Sequence, residues 1–306
     1  MQSSLNPASS ASPTPAARPG SPTWLVTPGI VPARFATAVA SGAAVALLDL
    51  EDSVPAEAKA VARASVLAFV GTRSADEAGP LVGVRINVVD GAEGRRDVAA
   101  MTERNVWPDL ILVPKVESSL DIGAVVRTVA GAHPTTQVWA LIESPQAIVG
   151  LSDIVQTPGL AGVLFGAADY AAAAGCRITS RALWYPRSQL VTAAAAVGIP
   201  AIDSPFFALD DMEALRRETL EAVELGFAGK VAIHPRQLPV IEEAFAPSPR
   251  ELEAARAVLA AADRASAGVT TAEGAMVGPP LVAAARAVVR RADRALRFTT
   301  QTAKVR

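Results

Sequence analysis

Short apolar, partly β-branched segments recur along the chain at 23–27, 44–50, 81–87, 109–115, 137–143, 161–166, 199–204 and 229–234. Their starts lie 21 to 38 residues apart, enough for a strand, a helix and two short loops and far more than a hairpin needs. Consecutive strands are therefore expected to run parallel. Helical signals fall between them. Ser53 before Val54 and Pro55 reads as a cap with proline near the first helical position, and Val54, Ala58, Val61, Ser65 and Phe69 trace one face up to Gly71. Ser119 opens another helix with Ile122, Val125, Val126 and Val129 inward, and Asp210 with Glu213 forms a capping box ahead of Leu215 and Val223.

Eight such units predict an α/β chain closed into a (β/α)8 TIM barrel. An open doubly wound sheet is the alternative, but neither GxGxxG nor GxxxxGKS/T occurs. Beyond the barrel, Ser248, Pro249 and Glu251 cap a helix through Leu252, Ala255 and Leu259. A Gly-containing loop over 268–278 and a last helix from Pro279 to about Leu296 complete a C-terminal helical extension. The chain thus divides into a Ser/Pro/Ala-rich tail at 1–22, expected to be disordered, a barrel domain at 23–245, and a segment at 246–306 suited to a lid or an oligomer contact.

Polar residues collect at the carboxyl ends of these segments. Asp49, Glu51 and Asp52 end the second, Arg85 and Asn87 the third, Lys115 and Glu117 the fourth, and Glu143 the fifth. Asp169 follows the sixth, Asp203 sits late in the seventh and His234 closes the eighth. In a barrel these ends surround one mouth, where such folds carry their chemistry. Strands covered on both faces are otherwise almost wholly apolar, so charges there need a reason. One reason is a site. The other is a plug of mutually paired ions, for instance Arg85 with Glu143 or Lys115 with Glu117.

Composition narrows the classes. Of 306 residues 51% are hydrophobic, and 28 basic side chains against 30 acidic ones leave a net charge of −2, so no basic face for nucleic acid is implied. Apolar runs are broken before the roughly 18 residues a membrane span needs. The one cysteine, Cys176, excludes an intramolecular disulfide and a Cys-based zinc site, and with no secretory signal at the start a cytoplasmic location is expected.

Glu143 and Asp169 are candidates for a metal pair, since Mg²⁺ is typically held by one or two carboxylates with waters and substrate oxygens. Two histidines and no HExxH disfavour zinc. Arg85 offers a rigid fork for a carboxylate or oxyanion, and strand alternation places Asn87 on its face, with Val84 and Ile86 on the other. His133 reads as a surface residue, His234 as a strand-end residue holding the rim, and Cys176 as an inert small side chain.

Laid out in order, LVTPG at 25–29, LLDLEDSVP at 47–55 followed by Lys59 and Arg63, VRIN at 84–87 and VPKVES at 113–118 resemble the citrate lyase beta subunit family, the CoA-ester lyases of the HpcH/HpaI aldolases. LIESP at 141–145, FGAADY at 165–170, YPRS at 185–188, AID at 201–203, GFAGKVAIHPRQ at 226–237 and FAPSP at 245–249 extend the resemblance. It implies a Mg²⁺-dependent barrel, commonly a homotrimer, that makes or breaks a carbon–carbon bond between an acyl-CoA and an α-oxo acid. Glu143 and Asp169 would then bind Mg²⁺, Arg85 the oxo-acid half, and the loop around Arg34 would lie near CoA.

The chain departs from that pattern at Gly278, where relatives carry an aspartate that serves hydrolysis or condensation, with Glu273 the nearest substitute. Ala168 replaces a usual glutamate and Ile30 a frequent polar residue. The expected activity is reversible cleavage of a malyl-, citramalyl- or citryl-type CoA thioester. An aldolase on free oxo-acid aldols, an acyl-CoA thioesterase and a non-catalytic CoA-binding subunit are the alternatives, and an acyl carrier protein in place of CoA stays open.

Overall fold

Alternation along each strand accounts for the architecture of the computed structural model, which describes residues 22–73, 79–264, 270–272 and 275–302. Residues 1–21, most of the stretch read as a tail, and Glu273 and Gly274 lie outside the described residues. Eight parallel strands close on themselves in sequence order: β1 (Thr23–Pro28), β2 (Val45–Asp49), β3 (Leu81–Arg85), β4 (Leu110–Val113), β5 (Gln137–Ile142), β6 (Leu160–Phe165), β7 (Ala201–Asp203) and β8 (Gly229–Ala232). The seam joins β1 to β8, with Trp24 opposite Val231.

In β2 all five residues are buried, because each face has its own core. Val45 and Leu47 point into the barrel with Trp24, Leu112, Trp139 and Ile202. Leu48 points outward to a layer with Val66, Val84, Ile111 and Phe165, covered by helices. The barrel is therefore a packed core and not a pore. Trp24 meets Trp139 edge to face at 4.7 Å, and a Cβ at Gly162 would come within 2.6 Å of the Trp139 ring. Glycine at 162 makes room for the indole.

The helices are α1 (Phe35–Val39), α2 (Lys59–Gly71), α3 (Ala92–Arg104), α4 (Ser119–Ala132), α5 (Pro145–Val149), α6 (Leu151–Val155), α7 (Ala167–Ala174), α8 (Ser180–Val197), α9 (Met212–Leu225), α10 (Leu238–Phe245), α11 (Pro249–Arg264) and α12 (Pro279–Thr302). α4 buries Ile122, Val125, Val126 and Val129 as expected, behind a Ser118/Asp121 capping box. α11 has the expected reciprocal cap between Ser248 and Glu251.

Three expectations change. α2 starts at Lys59 after a short 3-10 turn over Ala56–Ala58, since the Lys59 ammonium is drawn back to the carbonyls of Leu50 and Glu51 at 2.7 and 2.6 Å. Its buried face is accordingly Ala62, Val66 and Val70, while Val61 is exposed. The cap of α9 is Asp211, whose carboxylate accepts from the Ala214 N–H, because Asp210 pairs with Arg236 instead. The segment expected as a loop contains two short antiparallel strands, β9 (Thr270–Ala272) and β10 (Ala275–Val277), and the last helix runs on to Thr302. Among the described residues no helix is long and apolar enough to cross a membrane.

Candidate active site

From β2 to β8 the strands end one or two residues earlier than the apolar runs suggest, and β1 runs one residue further, to Pro28. Arg85, the last residue of β3, faces Asp49, the last of β2, directly across the register. Its Nε and Nη2 donate to the two Asp49 oxygens at 2.6 and 2.7 Å, a bidentate fork. Asp49 also accepts the N–H groups of Glu51 and Ser53. Burial pushes the Asp49 carboxyl up, but the hydrogen bonds and charge of Arg85 outweigh it and hold the group below the ordinary range. Burial likewise pulls Arg85 down, and Asp49, Glu51 and Asp52 more than reverse it, so the guanidinium stays charged. Its Nη1 remains, 2.8 Å from Glu51 Oε2 and 3.3 Å from the exposed Asp52.

Glu51 is the crowded member. Burial, then the neighbouring charges of Asp52 and Glu143, raise it to about 7 against the pull of Arg85 and Lys115. Its Oε2 is buried and, although close to Arg85, lies off the line of any N–H, so it makes no hydrogen bond.

Glu143 follows β5 and is itself buried. Its Oε1 accepts the Lys115 N–H at 2.9 Å. A Cβ on Gly166 would sit 2.5 Å from Glu143 Cβ and 2.8 Å from its Oε2, so the absence of a side chain at 166 is what lets Glu143 occupy this position. Burial raises its carboxyl, partly countered by Lys115. Asp169 stands in the first turn of α7, half-buried. The two carboxylates meet at one point, the ammonium of Lys115, which touches Asp169 and lies 3.6 Å from Glu143 and 3.9 Å from Glu51. Lys115 has a left-handed backbone at φ 53, uncommon for a residue with a side chain and concentrated at functional sites.

The mouth thus gathers Arg85, Glu143 and Asp169, and adds Asp49, Glu51 and Lys115, which strand-end position singled out without giving a role. The charges at the mouth are mutually paired, as the ion-plug reading expects, but with other partners than the two named: Arg85 takes Asp49 and not Glu143, and Lys115 takes Glu143 and Asp169 while Glu117 is exposed.

Three other strand-end residues take no part in this cluster. Asn87 lies past the end of β3, so alternation no longer governs it, and its side chain and N–H both bond Asp97 of α3 at 2.8 Å. Asp203 faces outward with Lys230, in a buried network with Arg187 of α8 and Glu218 of α9. His234 is exposed and accepts the Arg236 N–H through Nδ1, capping a rim turn. Arg34 is exposed on the 3-10 turn after β1. A cavity of about 230 Å³ lined by Phe227, Phe245, Arg290 and Arg291 opens at the strand starts, the opposite end of the barrel from this chemistry.

The donor set fits a hard divalent cation. Five carboxylates, Asp49, Glu51, Asp52, Glu143 and Asp169, share two cations in the ion-paired cluster, and Glu51 and Glu143 are both pushed up, chiefly by burial. An ammonium already stands between the two proposed ligands. Among the described residues no three His, Cys, Asp or Glu side chains stand together so as to hold a metal ion by themselves.

The model of the HpcH/HpaI aldolase/citrate lyase family matches residues 23–235. The chain belongs to this family. A second model, a C–C bond lyase of the TIM-barrel fold, matches residues 188–294. The chain is 33% identical over 295 residues to an L-malyl-CoA/beta-methylmalyl-CoA lyase of Cereibacter sphaeroides, covering 87% of this chain and 92% of that one. It is 34% identical over 236 residues to a (3S)-malyl-CoA thioesterase of the same organism, covering 76% and 80%. Among solved structures it resembles CitE of Mycobacterium tuberculosis in complex with magnesium, acetoacetate and coenzyme A, with TM-score 0.76 and 33% identity over 90% of this chain and 98% of that one.

Proposed function

We propose that the protein is a Mg²⁺-dependent carbon–carbon lyase that reversibly cleaves a 3-hydroxyacyl-CoA thioester of the malyl, citramalyl or citryl type into an acyl-CoA and an oxo acid. The observation that carries this is the convergence of Glu143 and Asp169 on one cation position, next to a guanidinium locked in place by Asp49. The similarity to a malyl-CoA lyase and to a magnesium-, acetoacetate- and CoA-bound relative supports it.

Glu143 and Asp169 would hold the Mg²⁺, which supplies electrostatic stabilisation of developing oxyanions. Arg85 would hold a substrate carboxylate or carbonyl oxygen through its Nη1 group, which now faces Glu51 and the exposed Asp52, while Nε and one Nη2 proton are committed to Asp49. As the C–C bond breaks, the substrate hydroxyl loses its proton and becomes a carbonyl, and the bonding pair passes to the thioester half as an enolate that takes up a proton to give the acyl-CoA. Glu51, with a carboxyl near 7 and an unbonded oxygen facing Arg85, is suited to take that proton and to return it in the condensation direction. No covalent nucleophile is required. Arg34 stands at the mouth on the loop after β1, where a CoA arm could pass, and the segment 246–306 is assigned to covering that arm or to contact with further copies in a homotrimer.

Incubation with malyl-, methylmalyl-, citramalyl- and citryl-CoA plus Mg²⁺ tests the reading. Acyl-CoA together with oxo acid, lost on Glu143→Ala, supports it. Free CoA as the sole thiol product would assign hydrolysis, and no turnover of any of the four would overturn it.

A further inference from the structure

Lys115 is not needed to complete the chemistry above, yet it lies against both proposed metal ligands. Its ammonium touches Asp169 and lies 3.6 Å from Glu143 and 3.9 Å from Glu51. Its backbone is left-handed at φ 53, a conformation glycine adopts at less cost. Its N–H donates to the same Glu143 oxygen that its ammonium approaches. One residue therefore orients a proposed metal ligand with its main chain and places a unit charge between both ligands with its side chain.

We propose that Lys115 is a built-in counter-cation: its ammonium holds Glu143 and Asp169 together in the metal-free protein and must withdraw for a divalent ion to enter, so that it sets metal affinity from inside the chain. This rests on the reading of Glu143 and Asp169 as the ligands. Two cations cannot share one pair of carboxylates without strong repulsion. The side chain is 36% exposed, so solvent offers it a way out. A compact ammonium on a flexible stem suits such a displaceable charge, where a guanidinium would hold both carboxylates more rigidly. Without it, the cluster's five carboxylates would face Arg85 alone, two of whose donors belong to Asp49.

Mn²⁺, followed by the electron paramagnetic resonance of the free ion, is titrated into wild type, Lys115→Met and Lys115→Gln, with circular dichroism to verify folding and thermal unfolding of each with and without metal. The neutral, polar Gln variant keeps the test open if Met disturbs the fold. Both variants are expected to bind Mn²⁺ about tenfold more tightly than wild type or better, to unfold at lower temperature without metal, and to gain more from adding it. Wild type that binds Mn²⁺ while both variants bind equally or more weakly overturns the counter-cation role. Failure of all three to bind would sink the assignment of Glu143 and Asp169 themselves.

Discussion

Asp49→Asn removes one charge and almost no volume, and its consequences can be worked from the geometry. The wild-type carboxylate accepts four hydrogen bonds, two from the Arg85 guanidinium at 2.6 and 2.7 Å and two from the backbone N–H groups of Glu51 and Ser53 at 2.9 and 3.0 Å. Asparagine has a single oxygen, and its NH2 group must point at a donor whichever way it is turned. At least one hydrogen bond to a charged group is lost, worth about 1.5 to 3 kcal/mol, and a donor-to-donor contact replaces it. Breaking a buried pair from one side costs about 3 to 5 kcal/mol. With the Arg85 side chain only 15% exposed, we expect about 3 kcal/mol lower stability in urea denaturation and about a 100-fold fall in kcat/KM, equivalent to about 2.7 kcal/mol, as Arg85 loses its fixed orientation. Asp52→Asn is the control. Asp52 is 60% exposed and 3.3 Å from Arg85, so its effect should stay under about 1 kcal/mol. If Asp49→Asn matched wild type in both assays, or Asp52→Asn proved as damaging, the claim that Asp49 positions Arg85 would be wrong.

Other expectations follow from single features. Gly166→Ala, at a φ of −105 open to any residue, places a methyl against Glu143; calorimetry should show metal affinity lower by about 10- to 100-fold with an unchanged far-ultraviolet spectrum. Asp203 is raised by burial but lowered further by the charges and hydrogen bonds of Lys230 and Arg187, so its folded value lies below the ordinary one. Its stabilisation is therefore complete above the unfolded value of about 3.9 and is lost as pH falls through the folded value. Denaturation curves from pH 5 downward should show a loss that Asp203→Asn does not repeat, that variant being already about 3 to 5 kcal/mol less stable at pH 7. A Cβ at Gly278 would meet, among the described residues, nothing nearer than Pro280 Cδ at 3.9 Å, so Gly278→Asp should fold normally; a rise in free CoA released from malyl-CoA, with acyl-CoA release retained, would mark position 278 as the switch to hydrolysis, and an unchanged product ratio would remove it from that role.

All eight strands and the barrel were legible because βα spacing and two-sided burial leave an unmistakable imprint on sequence: Val45 to Leu48 are apolar without a break since each face of β2 is covered. The clustering of Arg85, Glu143 and Asp169 was legible for a related reason, since polar residues at the carboxyl ends of parallel strands have one place to go. What sequence did not show was partnership. Asp203 and Asn87 occupy the same kind of position as Glu143, but β7 ends at Asp203 with its side chain on the outer face, and Asn87 lies past the last paired residue of β3. Strand phase, and with it the side a residue faces, depends on registers fixed between distant segments. The same holds for Lys115: a left-handed backbone at a non-glycine residue carries no local signal, and it decides where the ammonium lands.

The most direct measurement is anomalous diffraction from a crystal soaked in Mn²⁺. A single strong peak within coordination distance of both Glu143 and Asp169, with the Lys115 ammonium moved away, is the predicted result. Mn²⁺ bound elsewhere, with Lys115 still bridging the two carboxylates, would contradict the account.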